Sequence, residues 1–194
     1  MTQPILFSRA GFPAQSVASD PVPRFLSGTS LATPDGPRTI ETLAVGDTVT
    51  TREGPRRIAR LGGRVVTRED WAYRREIWPV RVPVGSLGNP RPIRAAQDQR
   101  VLLWGPTVER MCGVGEMTVT LGELVGLRGL IVERPLGDLR YFGVGLGIAA
   151  VVEVEGAFCE IGTEPGEAVP RETLRAAFLE MHVAGEPPLR GVEV

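Results

Sequence analysis

From Phe25 to Glu160 the apolar positions come in short runs that alternate with polar ones or stop at Gly and Pro, the pattern of strands and turns. Residues 31–33 predict a short strand, ended by Pro34-Asp35-Gly36, in which Pro presets φ and Gly takes the positive one. Ile40, Leu43 and Val45 have the spacing of one short helical turn, and Gly46-Asp47 starts a strand over 48–51. Glu53-Gly54-Pro55 makes another turn, and residues 57–61 alternate as a half-buried strand does. Further strands are predicted at 80–82, 93–95, 101–104, 107–111, 117–121 and 130–133 and within 141–155. A Gly/Pro/Asn loop falls at 84–92 and a helical turn at 122–125. Strands this short, at intervals of about ten residues, indicate an all-β barrel or complex β fold.

The two ends break this pattern. Residues 1–23 hold Pro4, Pro13, Pro21 and Pro23 with few apolar anchors (Ile5, Leu6, Phe7 and Phe12), too few to order a segment by itself. They predict an extended arm, either a loose terminus or one whose Ile5-Leu6-Phe7 plugs into a partner or its own domain. Residues 170–182 predict a helix with Pro170 at an early position and Leu174, Ala177, Phe178 and Met181 on one stripe. Gly185 and Pro187-Pro188 end it. That stripe packs either on the β domain or on another subunit. The expected organisation is an arm over 1–23, a β domain over 24–165, and a C-terminal helix and tail over 166–194.

Composition removes several chemistries. The formal net charge is −1, which gives no case for nucleic-acid steering or an anionic membrane surface. All 22 basic residues are Arg, so neither a Schiff-base Lys nor a P-loop Lys is available. With one His, His182, and two widely spaced Cys, Cys112 and Cys159, no zinc motif or disulfide scaffold is predicted. Apolar surroundings suit each Cys as a small buried thiol. No apolar stretch reaches the roughly 20 residues a membrane span needs, and the first residues lack a signal-peptide pattern. Soluble, cytoplasmic synthesis is the expectation. No metal and no cofactor are predicted.

The block Arg24-Phe25-Leu26-Ser27-Gly28-Thr29, followed by Asp35-Gly36, Ile40-Glu41-Thr42-Leu43 and Val45-Gly46-Asp47, resembles the opening of a Hint (hedgehog/intein-type autoprocessing) domain of the bacterial type. The family pattern there is Cys, Phe-x-x-Gly-Thr, a Asp-Gly turn, an Ile-Glu-x-Leu segment and Val-Gly-Asp. Later blocks follow in order. Ala96-Gln97-Asp98-Gln99-Arg100-Val101-Leu102 matches a Ser-Pro-x-His-Arg-Val-Leu frame, and Val119 to Val125 matches a Val-Pro-Ala-x-x-Leu-Val stretch. Tyr141-Phe142-Gly143, Ala149-Ala150-Val151 and Glu155-Gly156-Ala157-Phe158-Cys159-Glu160 fill an aromatic-x-His, a His-Glu-Val and a Glu-Gly-Ala-x-x-Glu pattern. The resemblance covers residues 24 to 160. It implies a Hint-like β fold of many short strands, with an N-terminal extended arm and a C-terminal helix.

It also implies lost chemistry. Arg24 stands where the family has its nucleophilic Cys, Gln99 where a His polarises the scissile carbonyl, and Gly143 and Ala149 at further His positions. A guanidinium with pKa above about 12 is no nucleophile, and Gln99 donates a hydrogen bond but moves no proton. The expectation is therefore a degenerate, non-catalytic structural adaptor. Hint-like domains of this size resemble ones encoded near phage-derived particle genes, which implies a ring-forming, virion-like vertex component that docks a capsid and a receptor-binding fibre. Its partners are then further copies of itself and a capsid or fibre protein, with no nucleic acid. Candidate contact residues are Ile5, Leu6, Phe7, Phe12, Trp71, Tyr73, Leu174, Phe178 and Met181. One rival is self-cleavage near Arg24 through Ser27 or Thr29, and Cys159 and an Asp98–Glu123 carboxylate pair are weaker candidates for chemistry. Another is a carbohydrate- or peptide-binding module using the aromatic and Arg-rich stretch from Trp71 to Trp78.

Overall fold

A computed structural model describes residues 22–162 and 169–186. Ile5, Leu6, Phe7 and Phe12, and the predicted boundary at 165, lie outside the described residues. Fourteen strands are described: β1 Phe25–Leu26, β2 Ser30–Leu31, β3 Arg38–Thr39, β4 Thr48–Thr51, β5 Gly54–Arg57, β6 Arg60–Val66, β7 Val80–Val82, β8 Ile93–Ala95, β9 Arg100–Trp104, β10 Glu116–Thr120, β11 Ile131–Val132, β12 Leu139–Gly145, β13 Ala150–Val154 and β14 Ala157–Ile161. The helices are α1 Arg68–Trp71, α2 Pro106–Cys112 and α3 Arg171–Ala184, with 3₁₀ turns at Ile40–Thr42 and Arg75–Ile77. The predicted all-β class with a C-terminal helix is the observed one.

The strands form two antiparallel sheets. One runs β11-β7-β8-β1-β12-β6, and the other runs β10-β9-β14-β13-β2-β3 with β4 joining β13 and β5 pairing β4. The core draws on both: Phe25, Val80, Val82, Ile93 and Val144 from the first, and Val49, Val101, Leu103, Val119, Val152, Val154 and Ile161 from the second. β14 is buried along its whole length. It lies between β9 and β13, and a second apolar cluster of Leu102, Val151 and Phe158 backs it, with Trp104 edge-on to Phe158 at 5.3 Å. The residue pair Glu155-Gly156, at φ 47° and 78°, makes the two-residue turn between β13 and β14.

The blocks that carried the family resemblance have structural tasks. Glu41 accepts the Gly28 amide on both carboxylate oxygens at 3.0 Å. Asp47 accepts the Ala44 amide and pairs with Arg38, each at 2.9 Å. Glu155 accepts the Ser30 amide at 2.6 Å while its own amide donates to the Ser30 carbonyl at 3.0 Å. Of these groups, the Ser30 backbone is buried and needs its partners.

Three expectations are corrected. Residues 107–111 form helix α2 rather than a strand. Pro106 sits at its first turn and Gly113, at φ 71°, takes the left-handed C-cap, and these punctuation residues outweigh the β-branched Thr107 and Val108. The run 57–61 is not one strand. It breaks at Ile58, whose amide donates to the Asp47 carbonyl at 2.8 Å, and resumes as β6. Leu174, Phe178 and Met181, expected as contact residues, are 1%, 3% and 1% exposed against the chain's own core. The stripe of α3 is thus spent within the chain.

Two variants test that assignment. Phe178→Ala should lower unfolding free energy by about 3–5 kcal/mol in urea titration. Its neighbour Leu179, 64% exposed, should tolerate Ala within about 0.5 kcal/mol. Equal small effects would mean α3 is not packed on the core.

Candidate functional site

The site begins at Arg24, the residue before β1. Its amide donates to the Phe142 carbonyl at 3.0 Å, and its carbonyl accepts the Ala96 amide at 2.7 Å. Both backbone groups are thereby committed to the sheet, on β12 at one side and just past β8 at the other. The guanidinium Nε lies 3.0 Å from Asp98 Oδ2, with the side chains 24% and 62% exposed. Water screens such a pair, which contributes at most about 1 kcal/mol, but it fixes where the guanidinium points.

Gln99 is 1% exposed. Its Nε2 donates to the carbonyls of Arg100 at 2.7 Å and Glu160 at 3.0 Å, while its backbone bonds to Ala96 and Leu121. It clasps β9 to β14, with both amide hydrogens engaged in the scaffold. Next to it, Arg100 Nε pairs with Glu160 at 2.9 Å, the two side chains 13% and 5% exposed.

At Gly143, a Cβ would lie 2.6 Å from the Val22 carbonyl oxygen, 2.9 Å from its carbon and 3.1 Å from Pro23 Cα. No side chain fits at such distances without moving backbone. The segment leading into Arg24 therefore crosses directly over β12 at a glycine, beside Gly62 of β6, its cross-strand partner. This is the close backbone approach for which a glycine within a strand is suited. Ala149 lies apart from this crossing. It packs at Gly162, whose hypothetical Cβ would be 3.4 Å from Ala149 Cα.

Among the described residues no hydrogen bond joins a candidate nucleophile to a base. Ser27 is exposed and its amide donates to the Arg140 carbonyl at 2.9 Å. Thr29 is buried in the turn between β1 and β2. His182, on α3, lines a cleft with Gly126, Leu127, Arg128, Arg175, Phe178 and Leu179, none of them near β1 in sequence or sheet order. Cys159 sits mid-strand in β14, 1% exposed, and burial first, then the Glu160 charge, pushes its thiol up to about 12. Burial also raises the Cys112 thiol. Reactive thiols need the opposite shift. Both cysteines are free.

The carboxylate pair does not form. Asp98 faces Arg24, while Glu123 caps its own turn by accepting the Thr120 amide at 2.6 Å and hydroxyl at 2.8 Å. Among the described residues no cluster of His, Cys, Asp and Glu could hold a metal ion, and no helix is long and apolar enough to cross a membrane.

The aromatic stretch is mostly interior. Trp71, expected on a contact surface, is 4% exposed and belongs to a cluster with Leu26, Val66 and Tyr141. Its Nε1 donates to the Gly137 carbonyl at 3.1 Å. Trp78 donates to the Trp71 carbonyl at 2.7 Å and stands edge-on to it at 6.4 Å, with Arg75 over its ring at 5.3 Å. The Tyr141 hydroxyl donates to the Ile77 carbonyl, and its phenol is held above its ordinary range by burial and the charge of Asp98. Only Tyr73, 95% exposed, stands out in water. A capping box from Thr67 to Asp70 starts α1 and turns Trp71 inward, a Thr-x-x-Asp signal present in the sequence.

A family model described as Hint domain matches residues 23–164. Among solved structures, the chain is similar to a bacterial intein-like domain from Clostridium thermocellum, at 18% identity and TM-score 0.48, over 72% of this chain and 98% of that one. It is also similar to the gp41-1 intein, at 13% identity and TM-score 0.44 over 70% and 97%. The MchDnaB-1 intein follows at 18% identity and TM-score 0.41 over 70% and 98%. These likenesses carry nothing about chemistry. No curated protein matches.

Gly143→Ala should destabilise the chain by about 1–3 kcal/mol, since the added methyl meets backbone rather than a yielding side chain. Gly63→Ala, whose Cβ would meet nothing closer than the Tyr141 carbonyl at 3.9 Å, should be neutral or stabilising by about 0.4–1 kcal/mol. Thermal melts of the two variants would show the contrast, and equal melting points would refute the close crossing. An aromatic disulfide reagent at pH 8 should leave Cys159 unmodified in the native protein and modify it after unfolding.

Proposed function

The chain belongs to the Hint domain family, and from that premise we propose that it is a non-catalytic member, retained as a structural docking module. One observation carries the reading: where the family resemblance puts a nucleophilic Cys, Arg24 is tied into the sheet through both backbone groups and pinned to Asp98. Autoprocessing requires a nucleophile, a group that moves its proton and donors for the oxyanion. Arg24 supplies no nucleophile. Gln99 has both amide hydrogens engaged with carbonyls of the scaffold. The Gly28 amide, a donor near Ser27, is occupied by Glu41. With those groups committed, what such a domain offers is surface.

The finer reading is a ring-forming component of a virion-like particle, of the kind that forms the head-spike base of a gene transfer agent and docks a capsid to a receptor-binding fibre. It rests on the resemblance to Hint-like domains encoded beside phage-derived particle genes. Cyclic assembly would follow from heterologous contacts that close on themselves.

Intact mass spectrometry of freshly made protein, repeated after days with added thiol, should return the full-length value. Arg24→Cys should also stay full length, because the variant gains a thiol but no proton acceptor. A fragment beginning near residue 24 in the unaltered chain would overturn the proposal in favour of cleavage through Ser27 or Thr29, and the Ser27→Ala and Thr29→Ala variants would say which.

A further inference from the structure

Arg128 carries three structural costs at once. Its φ of 45° lies in the left-handed region that favours glycine, in a turn where Gly126 and Gly129 already take φ 88° and 80°. Its Nε is buried and has no hydrogen-bond partner, and a buried N–H left unbonded is destabilising. Burial also pulls its guanidinium below the ordinary range, and no neighbouring carboxylate offsets that. The one bond its guanidinium makes is long, from Nη2 to the Glu186 carbonyl at 3.3 Å. A turn that had only to close would be better served by Gly or Asn. Backbone outliers of this kind gather at ligand clamps.

The surroundings say which ligand. Arg128 is on the wall of a cleft of about 460 Å³ between its own turn and α3. Arg171 fastens the two walls, with Nη2 donating to the Val125 carbonyl at 2.6 Å. Arg175, Leu179 and His182 follow one stripe of α3 beside the buried one and line the cleft with Leu127 and Phe178. No Asp or Glu lines it. Glu180 and Glu186, at the C-terminal end of α3, are engaged by Arg110 and Thr107. Among the described residues Arg175 has no ion pair. Three basic side chains and no acidic one, set against apolar walls, match an organic anion. A guanidinium fork suits a carboxylate, and the volume is that of a small-molecule site.

We propose that this cleft binds a small organic carboxylate, with the charged head beside Arg128 and Arg175 and the apolar body against Leu127, Phe178 and Leu179. Occupancy would offset the charge that the fold leaves uncompensated. The helix wall lies beyond the residues matched by the family model, and the site stands whether or not the chain cleaves itself.

The test uses the full-length chain. His182 is its one histidine, so the imidazole C–H proton signals report on the cleft without further assignment. Phenylacetate is titrated at fixed pH and ionic strength. Phenylacetamide keeps the body and removes the charge, and inorganic phosphate keeps a charge and removes the body. The expected result is a saturable His182 shift with Kd of about 1 mM or tighter for phenylacetate, and binding at least about tenfold weaker for the other two. Arg128→Gly and Arg175→Ala should each weaken phenylacetate about fivefold or more. Without ligand, Arg128→Gly should melt at or above the parent temperature. Phenylacetate should raise the melting temperature of the parent and not of Arg128→Gly. Arg175→Ala alters an exposed helix position and keeps the fold. No saturable shift up to about 20 mM would overturn the proposal, as would an equal response to the amide or to phosphate, or binding indifferent to both variants. An Arg128→Gly chain that melts well below the parent would make Arg128 a strap to Glu186 and overturn it too.

Discussion

Phe25 and Leu26 join two halves of a sheet that would otherwise be separate. β11, β7 and β8 lie on one side of them, and β12 and β6 on the other. The connection is narrow: Phe25 opposite Ala95, Phe25 opposite Phe142 and Leu26 opposite Tyr141. Arg24 extends it through its own bonds to Ala96 and Phe142. Phe25 and Leu26 are 1% and 7% exposed and reach into different apolar clusters. A two-residue strand is marginal by itself, so its persistence depends on these side chains and on the clamp at residue 24. The segment from residue 24 to 26 is thus the seam of the sheet.

Gln99 clasps two strands of the other sheet, Arg24 is held at the seam, and Gly143 gives the approaching backbone room. Each stabilises the fold in a way that a reactive group, which needs an open lone pair or a mobile proton, does not. A buried amide with both hydrogens bonded to carbonyls is a good structural element and a poor participant in proton transfer.

Much of the fold was legible because turn chemistry is local. Asp35-Gly36 stands at the turn between the paired strands β2 and β3, Gly46-Asp47 leads into β4, and positive φ falls at Gly36 and Gly46. Strands 80–82 and 93–95 are predicted to the residue, the first between Pro79 and Pro83 and the second opening directly after Pro92. What sequence could not give was the far side of each contact. Trp71 reads as an exposed aromatic among charges, but the carbonyl of Gly137, 66 residues away, receives its indole. Thr107 and Val108 have strand propensity that two helix-terminal signals overrule. At the candidate site, the residue types at 24, 99 and 143 were plain, while their mutual geometry, and Asp98 as the partner of Arg24, came only with the fold.

The crossing at Gly143 also limits what position 143 can hold. Position 143 and the path of Val22–Pro23 share one volume. Any side chain at that position and the present route into the seam are mutually exclusive, so a residue larger than glycine there must reroute the backbone that leads into Arg24.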